Sequence, residues 1–300
     1  MPHSPARALV LLSLLLPVAA AAQPSAPDTL ETADGWIQDL GLQFAGSQAQ
    51  YQNWQEGGVN ALALSVQSDG VFYRVTGAIR QAHELRLALG AIKQDTFSTR
   101  KADDIARYAF GLEYDLGGRV RPSFGLSART QFIPGFDYTP EEGEYPDLAL
   151  EEDGSVQVSN AFAPLVLTQS AGVVYDPGAG FTARVGLGLK ETVVTIERLR
   201  PLYGNALDQG VRVQAGLDTE LRFRGEIAPN VTLASRLSAF QAFNEVGDVE
   251  PDVLFENQIR MRVNDFLNVT LDGALLFDRD ISEDLQARQS LAVGLAFSLI

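Results

Sequence analysis

Residues 291–300 read L-A-V-G-L-A-F-S-L-I, and their spacing decides the architecture. Leu291, Val293, Leu295, Phe297 and Leu299 are large and apolar, while Ala292, Gly294, Ala296 and Ser298 between them are small. A strand sends successive side chains to opposite faces. This segment therefore predicts one face for lipid and one for a crowded interior. The same alternation recurs upstream, most cleanly over 211–224. Odd positions there are Val211, Val213, Ala215, Leu217, Thr219, Leu221 and Phe223. Even positions are Arg212, Gln214, Gly216, Asp218, Glu220, Arg222 and Arg224. A helix would mix these two sets; only a period of two keeps them apart.

Twelve such strands are predicted, at about 37–50, from Asn60, 84–94, 105–116, 119–132, 164–176, 180–197, 211–224, 230–243, 253–263, 266–278 and 286–299. The second and third meet either at Ser68-Asp69-Gly70 or near Thr76-Gly77. Gly117-Gly118, Asp176-Pro177-Gly178, Ala228-Pro229-Asn230 and Asn264-Asp265 are tight-turn sequences. Residues 51–59, 95–103, 133–163, 198–210, 244–252 and 279–285 form longer connections. Short and long loops alternate, as in an all-β, transmembrane, antiparallel up-and-down β-barrel of about twelve strands with both termini on the short-turn side. A soluble β-sandwich would need no such alternation.

The bulk properties agree. Arg7, the apolar run Ala8–Val18 and the small residues Ala20-Ala21-Ala22 read as an export signal over 1–22, cleaved near Ala22. Residues 23–35 read as a flexible lead-in and 36–300 as the barrel domain. These features predict a monomer in the outer membrane of a diderm bacterium, in contact with its lipid. No apolar run is long enough for a membrane-spanning helix, which needs about 20 residues. Yet 46% of residues are hydrophobic, and a closed sheet is the other way to satisfy backbone amides in lipid. There is no cysteine, which removes disulfides, thiolate metal sites and Cys nucleophiles. The formal charge of -15 argues against nucleic acid as a partner. Loss of the leader, which carries Arg7 and no acid, moves it from -15 to -16.

The lumen-lining candidates are Arg107, Glu113, Arg129, Arg184, Lys190, Glu220, Arg222, Glu256 and Arg260. Excess acid falls on the long loops, at 141–153 (E-E-G-E-Y-P-D-L-A-L-E-E-D) and at Glu245, Glu250, Asp252 and Asp280. One reading is a basic-leaning lumen beneath an acidic mouth, passing small polar solutes with a preference for anions. The other is an ion-pair network that fills a narrow barrel. Catalytic patterns are thin. His83 is the one histidine after the leader and falls near a short turn, so it reads as a surface residue rather than part of a triad. No zinc, Walker, dinucleotide or G-x-S-x-G pattern occurs. The expectation is a non-enzyme with no cofactor and no metal. The acidic 141–153 loop lacks regular cation-ligand spacing and reads as solvated.

Local motifs go further. Asn53-Trp54-Gln55-Glu56-Gly57-Gly58-Val59-Asn60 resembles the N-W-x-x-G-G-x-N signature of an uncharacterised bacterial family, known only as a domain of unknown function with a β-rich outer-membrane body. Lys93-Gln94 with Arg100-Lys101-Ala102-Asp103-Asp104 resembles its third loop. Thr130-Gln131-Phe132-Ile133-Pro134-Gly135-Phe136-Asp137-Tyr138 resembles its T-Q-F-x-P-G-[FY]-[DN]-Y signature, and Phe162-Ala163-Pro164 fits the segment after the long loop. The resemblance covers about 36–300 and implies no substrate or catalytic residue. Physically, Pro134-Gly135 can turn the chain inward. Trp54, Phe136, Asp137 and Tyr138 are then loop-contact candidates, packing over the mouth or touching a ligand. The resulting expectation is a narrow channel or uptake pore for small polar solutes. The alternative is a closed structural or adhesion-type barrel whose extracellular loops bind a partner.

Overall fold

The computed structural model describes residues 35–49, 60–94, 97–245, 250–264, 266–282 and 284–298. Trp54 and the leader lie outside them. The strands are β1 (Trp36–Ala49), β2 (Ala61–Thr76), β3 (Ile79–Gln94), β4 (Arg100–Tyr114), β5 (Val120–Thr130), β6 (Gly135–Asp137), β7 (Val156–Ser159), β8 (Leu165–Gly178), β9 (Phe181–Val193), β10 (Val211–Ala228), β11 (Val231–Ala242), β12 (Asp252–Arg262), β13 (Leu267–Phe277) and β14 (Gln286–Ser298). Twelve of them form one closed antiparallel barrel in the order β1-β14-β13-β12-β11-β10-β9-β8-β5-β4-β3-β2. The seam runs from Gly41 opposite Ser298 to Ala45 opposite Gly294. Closure leaves no unpaired sheet edge, which is what backbone amides in hydrocarbon require.

The faces are inverted relative to a water-soluble protein. Leu187 and Leu291 point outward with 67% and 66% of their surface exposed, whereas Gln214 and Glu220 point inward with 2% and 5%. Large apolar side chains stay outside only where the surroundings are themselves apolar. Trp36, Tyr114 and Tyr175 are exposed near the short-turn ends of their strands, and Phe97, Phe132, Phe162 and Phe243 near the long-loop ends. Amphipathic or aromatic rings at both rims are the expected girdles of a bilayer-spanning barrel.

The turn between β2 and β3 lies at Gly77, whose φ of 57° is left-handed and costs glycine little. Ser68-Asp69-Gly70 continues β2, and Asp69 lies opposite Arg86 on β3. The strand predicted over 180–197 ends at Val193, because Glu197–Tyr203 forms a 3-10 helix that Gly204 stops at φ 72°. The loop predicted over 133–163 is not irregular throughout. It contains the hairpin of β6 and β7, with Phe136 opposite Gln157.

That hairpin and the 3-10 helix build the most deeply buried apolar cluster of the described residues. Leu199, Val194, Ala163 and Val156 are at most 2% exposed. The barrel proper has a polar interior, so the most deeply buried apolar packing lies in the cap that the long loops form. Tyr203 donates to the Val158 carbonyl at 2.8 Å, and Arg200 donates to the Val194 carbonyl at 3.1 Å.

Candidate functional site: the lumen and its cap

A cavity of about 980 Å³ runs inside the barrel from the cap residues Tyr145 and Tyr203 down to Glu84 and Arg222. Residues of β3–β5 and β8–β14 line it. Of the candidates read from the sequence, Arg107, Glu113, Arg129, Arg184, Lys190, Glu220, Arg222 and Glu256 all line it. Arg260 is not on that wall. It reaches toward Asp69 at 3.4 Å, from β12 to β2.

Ion pairs cross this space. In the ring of twelve, β4 and β12 are separated by five strands in either direction, yet Arg107 on β4 bonds Glu256 on β12. Arg222 on β10 bonds Glu84 on β3, and Arg86 on β3 meets Asp272 on β13 at 2.9 Å. Glu220 is a hub. It accepts from Arg222 at 2.6 Å, bonds Arg236, and lies 3.9 Å from Arg184. Arg184 also meets Asp218 at 2.9 Å. At the short-turn end, Arg121 joins Glu113 at 2.6 Å and Asp176 at 2.9 Å. A carboxylate on this scale of burial persists as an ion only with such partners.

The expected charge division between lumen and mouth needs correction. Acids assigned to the mouth are drawn inward. Asp252 meets Lys190 at 2.5 Å, and Glu245 and Asp280 both engage Arg212. Desolvated Lys190 and Arg212 require acceptors, and the nearest rim acids supply them. The cavity wall consequently carries seven basic and nine acidic side chains, so its balance is not basic. Asp252, Asp278 and Asp280 bring carboxylate oxygens within 4.8 Å of one another. Lys190 stands 3.6 Å from Asp278 as well and supplies the positive charge that this cluster would otherwise draw from a cation.

The motif residues form a knot at the cap. Asp104 accepts from the amides of Phe132 and Ile133 at 2.8 and 2.9 Å. Lys101 donates to Asp104 at 3.3 Å, to Gln131 at 3.0 Å and to the Ile133 carbonyl at 3.4 Å. Gln131 in turn donates to the carbonyls of Asn160 and Ala163. A Cβ on Gly135 would sit 2.3 Å from the Ser159 hydroxyl and 2.9 Å from the Lys101 amine, so a larger residue there would displace both side chains from the knot. Phe136 and Tyr138 are half-buried with ring centroids 6.2 Å apart. Arg100 lies over the Tyr138 ring at 4.2 Å, and Asp137 accepts from Tyr145 at 3.1 Å. These three loop-contact candidates therefore have packing partners within the cap.

Burial, with the Asp137 carboxylate beside it, pushes the Tyr145 phenol above its ordinary range. Burial pushes Tyr203 up to about 12, and a hydrogen bond with Ser159 works the other way. In the 141–153 loop, the Ser155 hydroxyl and amide hold Asp153 below the usual carboxylate range. His83 faces outward on β3, 2.8 Å from the Tyr108 hydroxyl and 5.6 Å from the Trp36 ring centroid. It belongs to the aromatic girdle. Sequence reasoning missed the knot made by Lys101 and Asp104. The Arg200-Pro201 and Tyr203-Gly204 steps were a readable signal for the 3-10 helix and its stop.

Closed pairing, inverted faces and an ion-paired interior define the class: an outer-membrane-type transmembrane β-barrel. Residues 47–136 match the family described as "Protein of unknown function (DUF3078)", over a stretch that takes in the W-x-x-G-G, R-K-A-D-D and T-Q-F-x-P-G-F segments. No curated protein matches the chain. Among solved structures, the COG4313 outer membrane channel from Pseudomonas putida F1 is similar at 10% identity and a TM-score of 0.37, over 92% of this chain and 98% of that one. The translocator domain of autotransporter NalP from Neisseria meningitidis is similar at 13% identity and a TM-score of 0.36, over 89% of each chain. At those scores neither neighbour bears on the assignment, which rests on this chain's own pairing and faces.

Proposed function

We propose that this barrel resides as a monomer in the outer membrane, after removal of a leader ending near Ala22, and serves as a narrow passage for small polar solutes. It performs no catalytic step. The observation that carries the reading is the cavity of about 980 Å³ reaching from the cap into the mid-barrel. A chamber of that size accommodates a small solute with its hydration water. The pairs Arg107–Glu256 and Arg222–Glu84 cross the chamber, and a solute moving on must displace or thread them. Transport is thus slow and selective rather than that of a wide diffusion pore.

The same crossing pairs favour a second reading, a closed scaffold whose cap binds a partner. Planar-bilayer recording separates the two. For the passage, the folded wild type shows small conductance. The double variant Arg107→Gln with Glu256→Gln, which removes a pair without stranding either charge, raises it several-fold. Absence of current from both folded proteins would establish the scaffold.

A further inference from the structure

Three arginines share one level of the inner wall. Arg86 on β3 is the register partner of Arg107 on β4, and Arg107 is the register partner of Arg129 on β5. Like charges directly opposite each other across strands repel. Arg86 and Arg107 are each neutralised from across the lumen, by Asp272 and Glu256. Arg129 is not. Among the described residues no acid pairs with it and no hydrogen bond holds it; Glu256 and Asp278 act on it only at longer range, offset by Arg288 and Arg236. Every other cation on the cavity wall has an acidic partner, down to Arg288 with Asp103 at 3.1 Å. The lumenal acids are spoken for in turn: Glu256 by Arg107 and Asp278 by Lys190. Arg129 nevertheless lies inside the barrel with its side chain exposed to the cavity.

We infer that Arg129 is the anchor of a binding site for a small oxyanion, a carboxylate or a phosphate group, in the lumen. A guanidinium offers a fixed fork of donors that matches two oxygens of such a group. An oxyanion there also relieves the repulsion between Arg129 and Arg107. The remaining cavity leaves room for the rest of a small solute. The inference deepens the passage reading, resting on it for solute access from the cap. It does not rest on conduction.

The test uses the mature chain folded in detergent, with folding verified by the gel shift on heating. Inorganic phosphate and acetate are titrated separately, followed by 31P and 13C NMR, which distinguishes the two sources of oxyanion. Wild type should saturate with at least one of them. Arg129→Gln should weaken that binding by about tenfold or more, and Arg129→Lys, which keeps the charge and loses the fork, by less. A second readout needs no ligand affinity. In low-salt buffer free of oxyanions, Arg129→Gln should unfold at higher denaturant than wild type because the repulsion is gone, and the favoured anion should narrow that gap. Equal binding by wild type and folded Arg129→Gln overturns the inference, as does wild type that binds neither probe. Binding without conductance leaves the site standing and removes the passage; conductance without binding does the reverse.

Discussion

Adjacent residues on β10 report the inversion of the barrel most directly. Leu217 is 38% exposed on the outer face and Asp218 is 7% exposed on the inner one. Leu217→Arg places a charge against lipid and should cost about 2–4 kcal/mol if the site lies near the midplane. Asp218→Asn should cost clearly less, because it puts no charge into lipid and Arg184 keeps Glu220 at 3.9 Å after losing Asp218. Denaturant unfolding in lipid vesicles measures both, and equal costs would contradict the assigned faces. This alternation was legible in the sequence because every charged side chain over 211–224 falls at an even position. The identity of each partner was not. Glu220 collects Arg184, Arg222 and Arg236 from three strands, and a one-dimensional pattern gives the face of a residue without its height on the wall.

At the level of elements, strands were readable and the cap was not. Strand patterns are local, whereas the cap is held by contacts between segments far apart in the chain, such as Lys101 with Gln131 and Gln131 with Asn160. Asp104→Ala removes the acceptor for two loop amides at once and should free residues 131–164 while the barrel stays closed. Limited proteolysis should then cut within that loop, and the barrel should still shift on heating; protection equal to wild type would show the knot to be dispensable. Tyr203 offers a check by pH. Its folded pKa of about 12 lies above the unfolded value near 10. The contact of the neutral phenol with Val158 therefore contributes fully below pH 10 and is lost as pH rises through about 12. Absorbance titration should show late-ionising tyrosines among the eight in the chain, and Tyr203→Phe should remove one of them.

Over the whole molecule, closure is what ties residues to location. The ring leaves no open edge, and its outer belt is mainly apolar side chains with aromatics toward the rims. The expressed protein should fractionate with outer membranes and migrate differently on gels before and after boiling. Recovery in the soluble periplasmic fraction would exclude the bilayer-spanning assignment. The crossing pairs have a mechanical side too. Arg107–Glu256 joins walls that stand opposite each other in the ring. A hollow ring of strands under the lateral pressure of a bilayer is free to flatten into an ellipse. A pair anchored on facing walls is a strut that sets the short axis. A strut so far buried is only weakly screened by salt, so the roundness of this barrel, and with it the width left for anything inside, should hold as ionic strength changes.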